Sequence, residues 1–290
     1  MKKLKFGFPI GSLQTSTLEL FKKVGIKIII SSRSYYPVSD DNELEIMLIR
    51  SQEIARYVQD GFFDLGITGY DWICESGAKV KEVCELKYAK SGFKAIKWVL
   101  AVPDNSEIKS VKDLQGKRVA TELINCTKKY FDKCKVKAKI EFSWGATEVK
   151  AGKLVDAIVE LTETGSSLKA NKLKIIDELL TSTTRLITNY KALQDSWKKE
   201  KIENLSILLN GALLAEGMVG LKMNVSLKSL KVITKILPAI KKPTISQLSD
   251  KNWVAIEIIL QKKIVKSIIP ILKRLGAIGI IEYPLNKIIY

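Results

Sequence analysis

The sequence predicts an α/β protein with a two-lobed core and a separate C-terminal domain. Short apolar runs alternate with helical patterns from Leu4 to Asn189, and such alternation is typical of open α/β architectures. Residues 218–282 instead follow the order strand, helix, strand, strand, helix, strand, which is the ferredoxin-like arrangement. At 290 residues the chain is long enough for two or three compact domains.

The first lobe begins with strand and helix patterns in alternation. One helix follows Gly11, keeps Phe21 and Val24 on its apolar face and ends at Gly25. The predicted strands of this lobe cover residues 4–9, 27–30 and 63–68, and a second helix covers residues 51–61.

The apolar run Lys97–Pro103 predicts the strand by which the chain crosses into a second lobe. Leu186–Asn189 predicts the strand that returns to the first lobe, and a helix from Trp197 to about Leu214 leads out. Between these crossings we predict strands at 118–120, 138–142 and 157–159 and a helix at 125–135. The predicted domains are 1–98 with 180–196 (first lobe), 99–179 (second lobe), 197–216 (connecting helix) and 217–290 (C-terminal domain).

The C-terminal domain is predicted from two amphipathic helices among four strands. Ser226 is the expected N-cap of the first helix, and Pro238 ends it. The predicted strands are 218–224, 244–248, 253–260 and 278–282, and the second helix is 264–275. Because this domain contains no catalytic constellation, we expect it to bind a small ligand or to support assembly.

Composition excludes several classes of function. The net charge is +17, but the lysines are dispersed along the chain, so we predict no nucleic-acid partner and only a general attraction for polyanions. The chain has no histidine, which excludes a Ser-His-Asp triad, imidazole acid–base catalysis and His-ligated zinc. Any chemistry therefore rests on carboxylates, lysines, arginines, backbone dipoles and a bound metal.

Cysteine use and apolar runs indicate a cytoplasmic protein with no membrane partner. The four cysteines, Cys74, Cys84, Cys126 and Cys134, form no C-x-x-C motif, so neither disulfides nor a zinc site is expected. No apolar run approaches membrane-spanning length, and the N-terminus is a poor signal peptide.

An acidic loop after the apolar run 157–159 is the most informative motif. Glu160 and Glu163 precede the small residues Thr164–Ser167, and a helical pattern begins at Leu168. Small residues before a helix leave backbone N–H groups that bind phosphate, whereas the carboxylates suit hydroxyl groups or a divalent cation. A phosphate beside a diol is the outline of a ribose 5-phosphate. The alternative is an ordinary strand–turn–helix with a Thr or Ser cap.

These residues resemble the phosphoribosyl-diphosphate (PRPP) loop of ATP phosphoribosyltransferases, which catalyse the first step of histidine biosynthesis. That family's pattern is an acidic residue, two residues, a second acidic residue, T-G-x-[ST]-L and a following A-N. Here the pattern is met by Glu160, by Glu163–Leu168 and by Ala170–Asn171.

The resemblance extends to the rest of the chain. Asp64–Asp71 is similar to a string found in two-lobed, periplasmic-binding-protein-like folds, which is the fold implied for the core. The long form of the family carries a C-terminal domain with similar short strings. These are Leu237-Pro238, Pro243-Thr244, Trp253-Val254-Ala255, Gly276-Ala277 and Tyr283–Lys287.

The resemblance implies transfer of phosphoribose from PRPP to N1 of ATP, with release of pyrophosphate. Mg²⁺ is the implied cofactor, bridged by PRPP oxygens rather than held by a protein ligand set. Glu160 and Glu163 are implied to bind the ribose hydroxyls, and Thr164, Gly165, Ser166 and Ser167 the 5-phosphate. Glu160, Glu163 and Lys97 form the implied catalytic set.

The implied contacts to ATP and pyrophosphate are Gly11, Ser12, Arg50, Asp71, Lys97, Gly145 and Glu148. Each has a structural alternative: Arg50 and Lys97 as surface ion pairs, and Asp71 as a helix cap. The chain also departs from the family. Ile10 and Ser12 stand where basic residues are usual, and Lys97 lacks the bidentate fork of the common arginine. One residue is also missing between Glu148 and Asp156.

The C-terminal domain is implied to bind histidine as a feedback inhibitor in a dimeric or hexameric enzyme. The corresponding positions are Asn224, Thr244, Ile259 and Gly279, with Asn224 and Thr244 expected in one crevice. Neutral Asn224 replaces the family's carboxylate, which predicts weaker inhibition. The alternative is a domain that only holds the oligomer together. For the whole chain, the alternative is a cytosolic two-lobed binding or sensor protein without catalysis.

Overall fold

The computed structural model describes residues 2–88, 95–238 and 242–289. The chain forms two compact units, Met1–Ser206 and Ile207–Tyr290. The first unit contains two five-stranded sheets, one in each lobe, and the second contains a four-stranded sheet. The division at residue 206 falls within the helix that the sequence predicted as a separate connecting segment.

The first lobe is built on one mixed sheet. Its elements are β1 (Leu4–Ile10), α1 (Gln14–Val24), β2 (Ile28–Ile29), β3 (Val38–Ser39), β4 (Leu44–Arg50), α2 (Ser51–Gln59), β5 (Leu65–Gly69), α3 (Tyr70–Ser76) and β6 (Lys81–Leu86). The rings of Phe6, Phe8 and Phe21 pack together in its core, with centroids 5.5–5.7 Å apart. This aromatic cluster holds α1 against β1, because folding removes a large apolar area of each ring from contact with water.

The second lobe follows, and the chain then returns to the first sheet. The elements are β7 (Ile96–Pro103), β8 (Arg118–Thr121), α4 (Ile124–Lys133), β9 (Lys139–Phe142), β10 (Ala157–Thr162), α5 (Ser166–Ala170), β11 (Leu173–Ser182) and β12 (Thr184–Thr188). The first sheet has the order β4-β1-β5-β12-β6, and the second has the order β11-β7-β10-β8-β9. One residue, Thr183, separates β11 from β12, so the return between the sheets is abrupt.

The structure corrects one predicted strand of these sheets and shows others that were not predicted from the sequence. Ile28 and Ile29 do not enter the main sheet but form a short hairpin with β3. The place beside β1 belongs to β4, which runs parallel to it with Leu4 opposite Leu44. β4 was not predicted from the sequence, although its apolar residues alternate with exposed ones such as Glu45, as is typical of a strand with one buried face. β11 was not predicted either; it is an edge strand with two register irregularities and a half-exposed surface.

The chain continues through α6 (Ser196–Ala215) into the C-terminal unit. Its remaining elements are β13 (Met218–Ser226), α7 (Leu227–Ile236), β14 (Thr244–Gln247), β15 (Trp253–Gln261), α8 (Lys262–Arg274) and β16 (Ile278–Pro284). The antiparallel order β14-β15-β13-β16 is the ferredoxin-like topology that the sequence predicted. Ser226 caps α7, since its hydroxyl accepts from the Ser229 N–H at 3.4 Å.

Candidate active site between the two lobes

A cavity of about 290 Å³ opens between the two lobes of the first unit. The first lobe contributes the turn after β1, the start of α2 and the start of α3, and the second contributes β7, the end of β8 and the end of β10. The lining includes Ile10, Gly11, Ser12, Leu13, Arg50, Asp71, Trp72, Tyr88, Ile96, Trp98, Glu122, Glu160, Glu163 and Ser182.

Asp71 joins the lobes at the base of the cavity. This side chain begins α3 and is 1% exposed. Its Oδ2 accepts a 2.8 Å hydrogen bond from the indole of Trp98, and its Oδ1 accepts a 2.9 Å bond from the hydroxyl of Ser182. Burial raises the pKa of the Asp71 carboxyl, and the two donors oppose that rise.

Gly69 is required for this arrangement. A Cβ at residue 69 would lie 2.1 Å from Oδ1 of Asp71, which Ser182 already holds in place. Any larger residue would therefore displace the carboxylate that connects the lobes.

A second contact between the lobes lies beside the cavity. Glu75, near the end of α3, accepts from the backbone N–H groups of Asn125 and Cys126 at 2.9 Å each. The Asn125 side chain donates in return to the Glu75 carbonyl at 3.0 Å. These amides belong to the first turn of α4, whose N–H groups have no partner within the helix. A carboxylate of the first lobe thus caps a helix of the second.

Three carboxylates line the side formed by the second lobe. Glu160 lies in β10, and Glu122 directly follows β8. These strands are parallel, with Val159 opposite Thr121, so Glu160 and Glu122 occupy adjacent positions at the carboxyl ends. Burial raises the pKa of Glu160, and the nearby charges of Glu148 and Glu122 raise it further. Glu163 lines the cavity one turn farther along the loop.

The loop after β10 has a fixed backbone. Gly165 has a φ of 78°, a left-handed conformation that favours glycine, and its N–H donates to the Thr162 hydroxyl at 2.8 Å. The hydroxyls of Thr164 and Ser166 are 2.9 Å apart, and both residues are exposed. The loop therefore presents several small polar groups beside Glu160 and Glu163.

The opposite side of the cavity carries the positive charge. Among the described residues that line it, Arg50 is the one cationic side chain. Arg50 ends β4, and its guanidinium nitrogen Nη1 lies 3.9 Å from the position that a Cβ of Gly11 would take. Gly11 has a φ of 88°, and Ser12 follows it in the same exposed turn.

An apolar surface completes the cavity. Trp72 and Trp98 pack edge to face, with ring centroids 6.2 Å apart. Leu13, Tyr88 and Ile96 lie on the same lining. The cavity thus combines a flat aromatic and aliphatic surface with acidic groups on one side and a guanidinium on the other, as small polar ligands require.

Comparison with known proteins gives the family. A family model described as ATP phosphoribosyltransferase matches residues 50–211, and one described as HisG, C-terminal domain, matches residues 215–287. An ATP phosphoribosyltransferase of Thermodesulfovibrio yellowstonii is 57% identical over 288 residues, which is 99% of each chain. One of Chlorobium phaeobacteroides is 57% identical over 286 residues, or 99% of this chain and 97% of its own.

The chain belongs to the ATP phosphoribosyltransferase family. A solved chain of the ATP phosphoribosyl transferase (HisG:HisZ) complex from Thermotoga maritima agrees with this membership. It superposes with a TM-score of 0.61 at 26% identity, covering 71% of this chain and 96% of that chain.

Six of the thirteen residues implied for PRPP and ATP line the cavity, and the loop residues Thr164–Ser167 follow Glu163 outside its described lining. The six are Gly11, Ser12, Arg50, Asp71, Glu160 and Glu163. Glu148 lies near Glu160, whose pKa its charge raises, and it accepts from the Ser167 hydroxyl at 2.7 Å. Gly145, with a φ of 116°, lies in the turn that leads to Glu148 and does not line the cavity among the described residues.

Of the implied catalytic residues Glu160, Glu163 and Lys97, only Lys97 points away from the cavity. Its neighbours Ile96 and Trp98 line the cavity, and side chains alternate along a strand, so Lys97 faces the other side of β7. Its ammonium makes a 2.6 Å ion pair with Glu178 of β11, and both side chains are exposed. The surface ion pair that the sequence analysis kept as an alternative is the observed state.

Glu122 is a residue of the cavity that was not predicted from the sequence. An acidic residue at the end of the strand 118–121 was visible in the sequence, but only the parallel pairing of β8 with β10 brings it beside Glu160. Burial raises the pKa of the Glu122 carboxyl as well.

The implied regulatory residues lie on the face of the C-terminal sheet that α7 and α8 leave open. Asn224 of β13 is opposite Ala255, whereas Thr244 of β14 is opposite Glu257, and β15 lies between the two strands. Asn224 and Thr244 therefore lie on the same face of the sheet but on strands that are not adjacent, and a shared crevice remains a prediction. The amide nitrogen of Asn224 lies 3.7 Å from the position that a Cβ of Gly279 would take. Ile259 is opposite Gly220, four residues from Asn224 along β13.

Neither a metal-binding cluster nor a membrane-spanning helix is present among the described residues. Across residues 2–88, 95–238 and 242–289, no cluster of three or more Cys, Asp or Glu side chains is arranged to hold a metal ion. Within the same ranges, no helix combines the length and apolarity needed to cross a membrane.

Proposed function

We propose that this chain transfers phosphoribose from PRPP to N1 of ATP and releases pyrophosphate, the first step of histidine biosynthesis. Family membership over nearly the whole chain supports this activity. The observation that carries the proposal is the pair Glu160 and Glu163 on the cavity, directly before the fixed loop Thr164–Ser167. A protein that only bound a solute would have no evident use for a carboxylate pair before such a loop.

PRPP would bind at the end of β10. Glu160 and Glu163 would accept hydrogen bonds from the ribose hydroxyls, because a carboxylate is an acceptor only. Ser166 and Ser167 begin α5, and the amides of a helix's first turn have no partner within the helix. Together with the hydroxyls of Thr164 and Ser166, these amides suit the oxygens of the 5-phosphate.

ATP would occupy the side formed by the first lobe. The flat surface around Trp72 and Leu13 suits the adenine ring, and Arg50 beside Gly11 suits a phosphate oxygen. With Lys97 paired to Glu178, no described lysine on the cavity replaces the basic residues that the family pattern usually carries at the first turn.

Mg²⁺ is the counter-cation we propose for both substrates. The described lining has four carboxylates, Asp71, Glu122, Glu160 and Glu163, against the single guanidinium of Arg50, so two polyanions require additional positive charge. When bound to PRPP oxygens, Mg²⁺ supplies charge neutralisation for the departing pyrophosphate. The residues of this chain then hold the ribose and the adenine in line for substitution at C1 of the ribose.

The decisive experiment is a product assay with the purified chain. ATP, PRPP and Mg²⁺ are incubated with the protein, and phosphoribosyl-ATP is followed by its absorbance, with reactions lacking PRPP as the control. We expect product to accumulate only in the complete mixture, together with stoichiometric pyrophosphate. Absence of product, combined with tight binding of an unrelated metabolite, would favour the two-lobed binding protein instead.

We also propose that the C-terminal unit binds histidine and inhibits the enzyme, and that the protein assembles into dimers and hexamers. The match to the family's C-terminal domain supports this role. Gly279 has no side chain and leaves room beside the amide of Asn224 on the open face of the sheet. Sedimentation analysis with and without histidine tests the assembly.

A further inference from the structure

Glu122 is the one carboxylate on the described lining of the cavity that has neither a bonding partner nor an assigned substrate group. Both oxygens of Asp71 are bonded to the second lobe, and Glu160 and Glu163 are assigned to the ribose of PRPP. Glu122 lines the same cavity and is half-buried. Within the described part of the chain, its side chain makes no hydrogen bond and no ion pair, and burial alone raises its pKa. A desolvated carboxylate without a donor is costly unless a ligand supplies one.

The position of Glu122 restricts which ligand atom it meets. β8 and β10 are parallel and in register up to Thr121 and Val159. The backbones of the next residues, Glu122 and Glu160, therefore lie side by side at the usual spacing of neighbouring strands, about 5 Å. Glu163 lies farther along the loop, toward the phosphate end. If PRPP lies as proposed, with its phosphate on the loop after Glu163, Glu122 lies at the other end of the ribose, where the acceptor approaches C1.

The reaction itself supplies a donor for this carboxylate. As N1 of adenine attacks C1 of the ribose, the N1–C1 bond forms and the C1–O bond breaks, and its electron pair leaves with pyrophosphate. The adenine ring then carries a positive charge, and it becomes neutral when its 6-amino group loses one proton. The amino group is adjacent to N1, so an acceptor near C1 is also near that proton. A carboxylate at this place stabilises the developing charge and accepts the proton.

We propose that Glu122 accepts a hydrogen bond from the 6-amino group of the acceptor purine and takes its proton as the N1–C1 bond forms. This inference rests on the proposed transfer to ATP, and it adds the group that recognises the acceptor base. It also explains why an acidic side chain lies unpaired beside Glu160, although its charge helps to raise the pKa of Glu160.

Calorimetric titration of the full chain tests the contact without turnover. ATP and purine riboside 5′-triphosphate, which lacks the 6-amino group, are titrated into the wild type, Glu122→Ala, Glu122→Gln and the control Glu141→Gln. Glu141 lies on the neighbouring strand β9 and pairs with Arg118 outside the cavity. We expect the wild type and the control to prefer ATP by about tenfold or more, as for a hydrogen bond to a charged group. Glu122→Ala should lose that preference, with affinity for the analogue unchanged.

Turnover provides the second measurement. Glu122→Gln keeps the shape of the side chain but is a far weaker proton acceptor, so we expect kcat to fall by about a hundredfold with KM for PRPP unchanged. Equal weakening of ATP and analogue, or a rise in KM for PRPP instead, would overturn the proposal. If Glu122→Ala fails to fold, as thermal denaturation would reveal, Glu122→Gln decides. A wild type that discriminates the two nucleotides but forms no product would contradict the proposed function and leave the contact standing.

Discussion

The indole nitrogen of Trp98 donates a 2.8 Å hydrogen bond to Oδ2 of Asp71, and this bond connects the second lobe to the first. Trp98→Phe keeps an aromatic ring but removes the donor from a carboxylate that is 1% exposed. We expect the free energy of unfolding to fall by about 1–3 kcal/mol, because a buried acceptor loses its partner. Urea denaturation measures this change.

Trp144→Phe is the matched control for this substitution. The Trp144 side chain is 92% exposed, so its replacement should change the free energy of unfolding by less than about 0.5 kcal/mol. Equal effects of the two substitutions would show that the bond to Asp71 adds nothing to stability.

Glu75→Ala removes the carboxylate that caps α4 from the other lobe. The amides of Asn125 and Cys126 lose their acceptor, and we expect a loss of about 1–2 kcal/mol. Hydrogen exchange in the peptide covering residues 123–128 should become faster, while α2 keeps its protection. Glu19→Ala, on the exposed face of α1, serves as the control. Unchanged exchange at α4 would argue against the cap.

Replacing Glu160 and Glu163 together by alanine should weaken the binding of PRPP much more than the binding of ATP. The variant loses charge-assisted hydrogen bonds worth about 1.5–3 kcal/mol each to the ribose, so PRPP affinity should fall by at least a hundredfold. ATP affinity should change by less than about threefold, as measured by calorimetry. Loss of both ligands in equal measure would point to misfolding or to a wrong assignment of the ribose.

The raised pKa of Glu160 predicts a specific pH dependence of stability. Below the ordinary value of 4.5 the carboxyl is protonated in both the folded and the unfolded chain. As pH rises above that value, the unfolded chain releases the proton first, so the folded state loses stability until its own, higher pKa is passed.

Glu160→Gln should therefore raise the melting temperature at neutral pH and leave it nearly unchanged below about pH 4. Thermal scans across this range, with Glu19→Gln as the control at an exposed site, measure the difference. A stabilisation that was independent of pH would contradict desolvation of the charge as its cause.

Asn224→Asp tests the proposed histidine site in the intact chain. The substitution restores the carboxylate of the family pattern and adds a charge-assisted contact to the ligand's ammonium, so histidine should bind about tenfold more tightly. Asn252→Asp, in an exposed turn of the same unit, controls for the added charge. If calorimetry detects no histidine binding in either variant or in the wild type at millimolar concentration, the domain serves assembly alone.

The sequence by itself determined the features that are local along the chain. The order of elements in residues 218–284, the cap at Ser226 and the acidic residues before a small-residue loop all depend on neighbours in sequence. The absence of histidine likewise excluded imidazole chemistry without any knowledge of the fold.

Tertiary structure decided which side chains face the cavity. Alternation along β7 was evident, but only the packing of the lobes directs Trp98 and Ile96 inward and leaves Lys97 to pair with Glu178. The pairing of β8 with β10 joins residues 38 positions apart and puts Glu122 beside Glu160. Likewise, the strand order of the C-terminal sheet separates Asn224 from Thr244. Which strands pair, and which side of a strand faces the cavity, depend on the burial of whole sheets. These features are set by contacts between residues far apart in the sequence, so no local pattern encodes them.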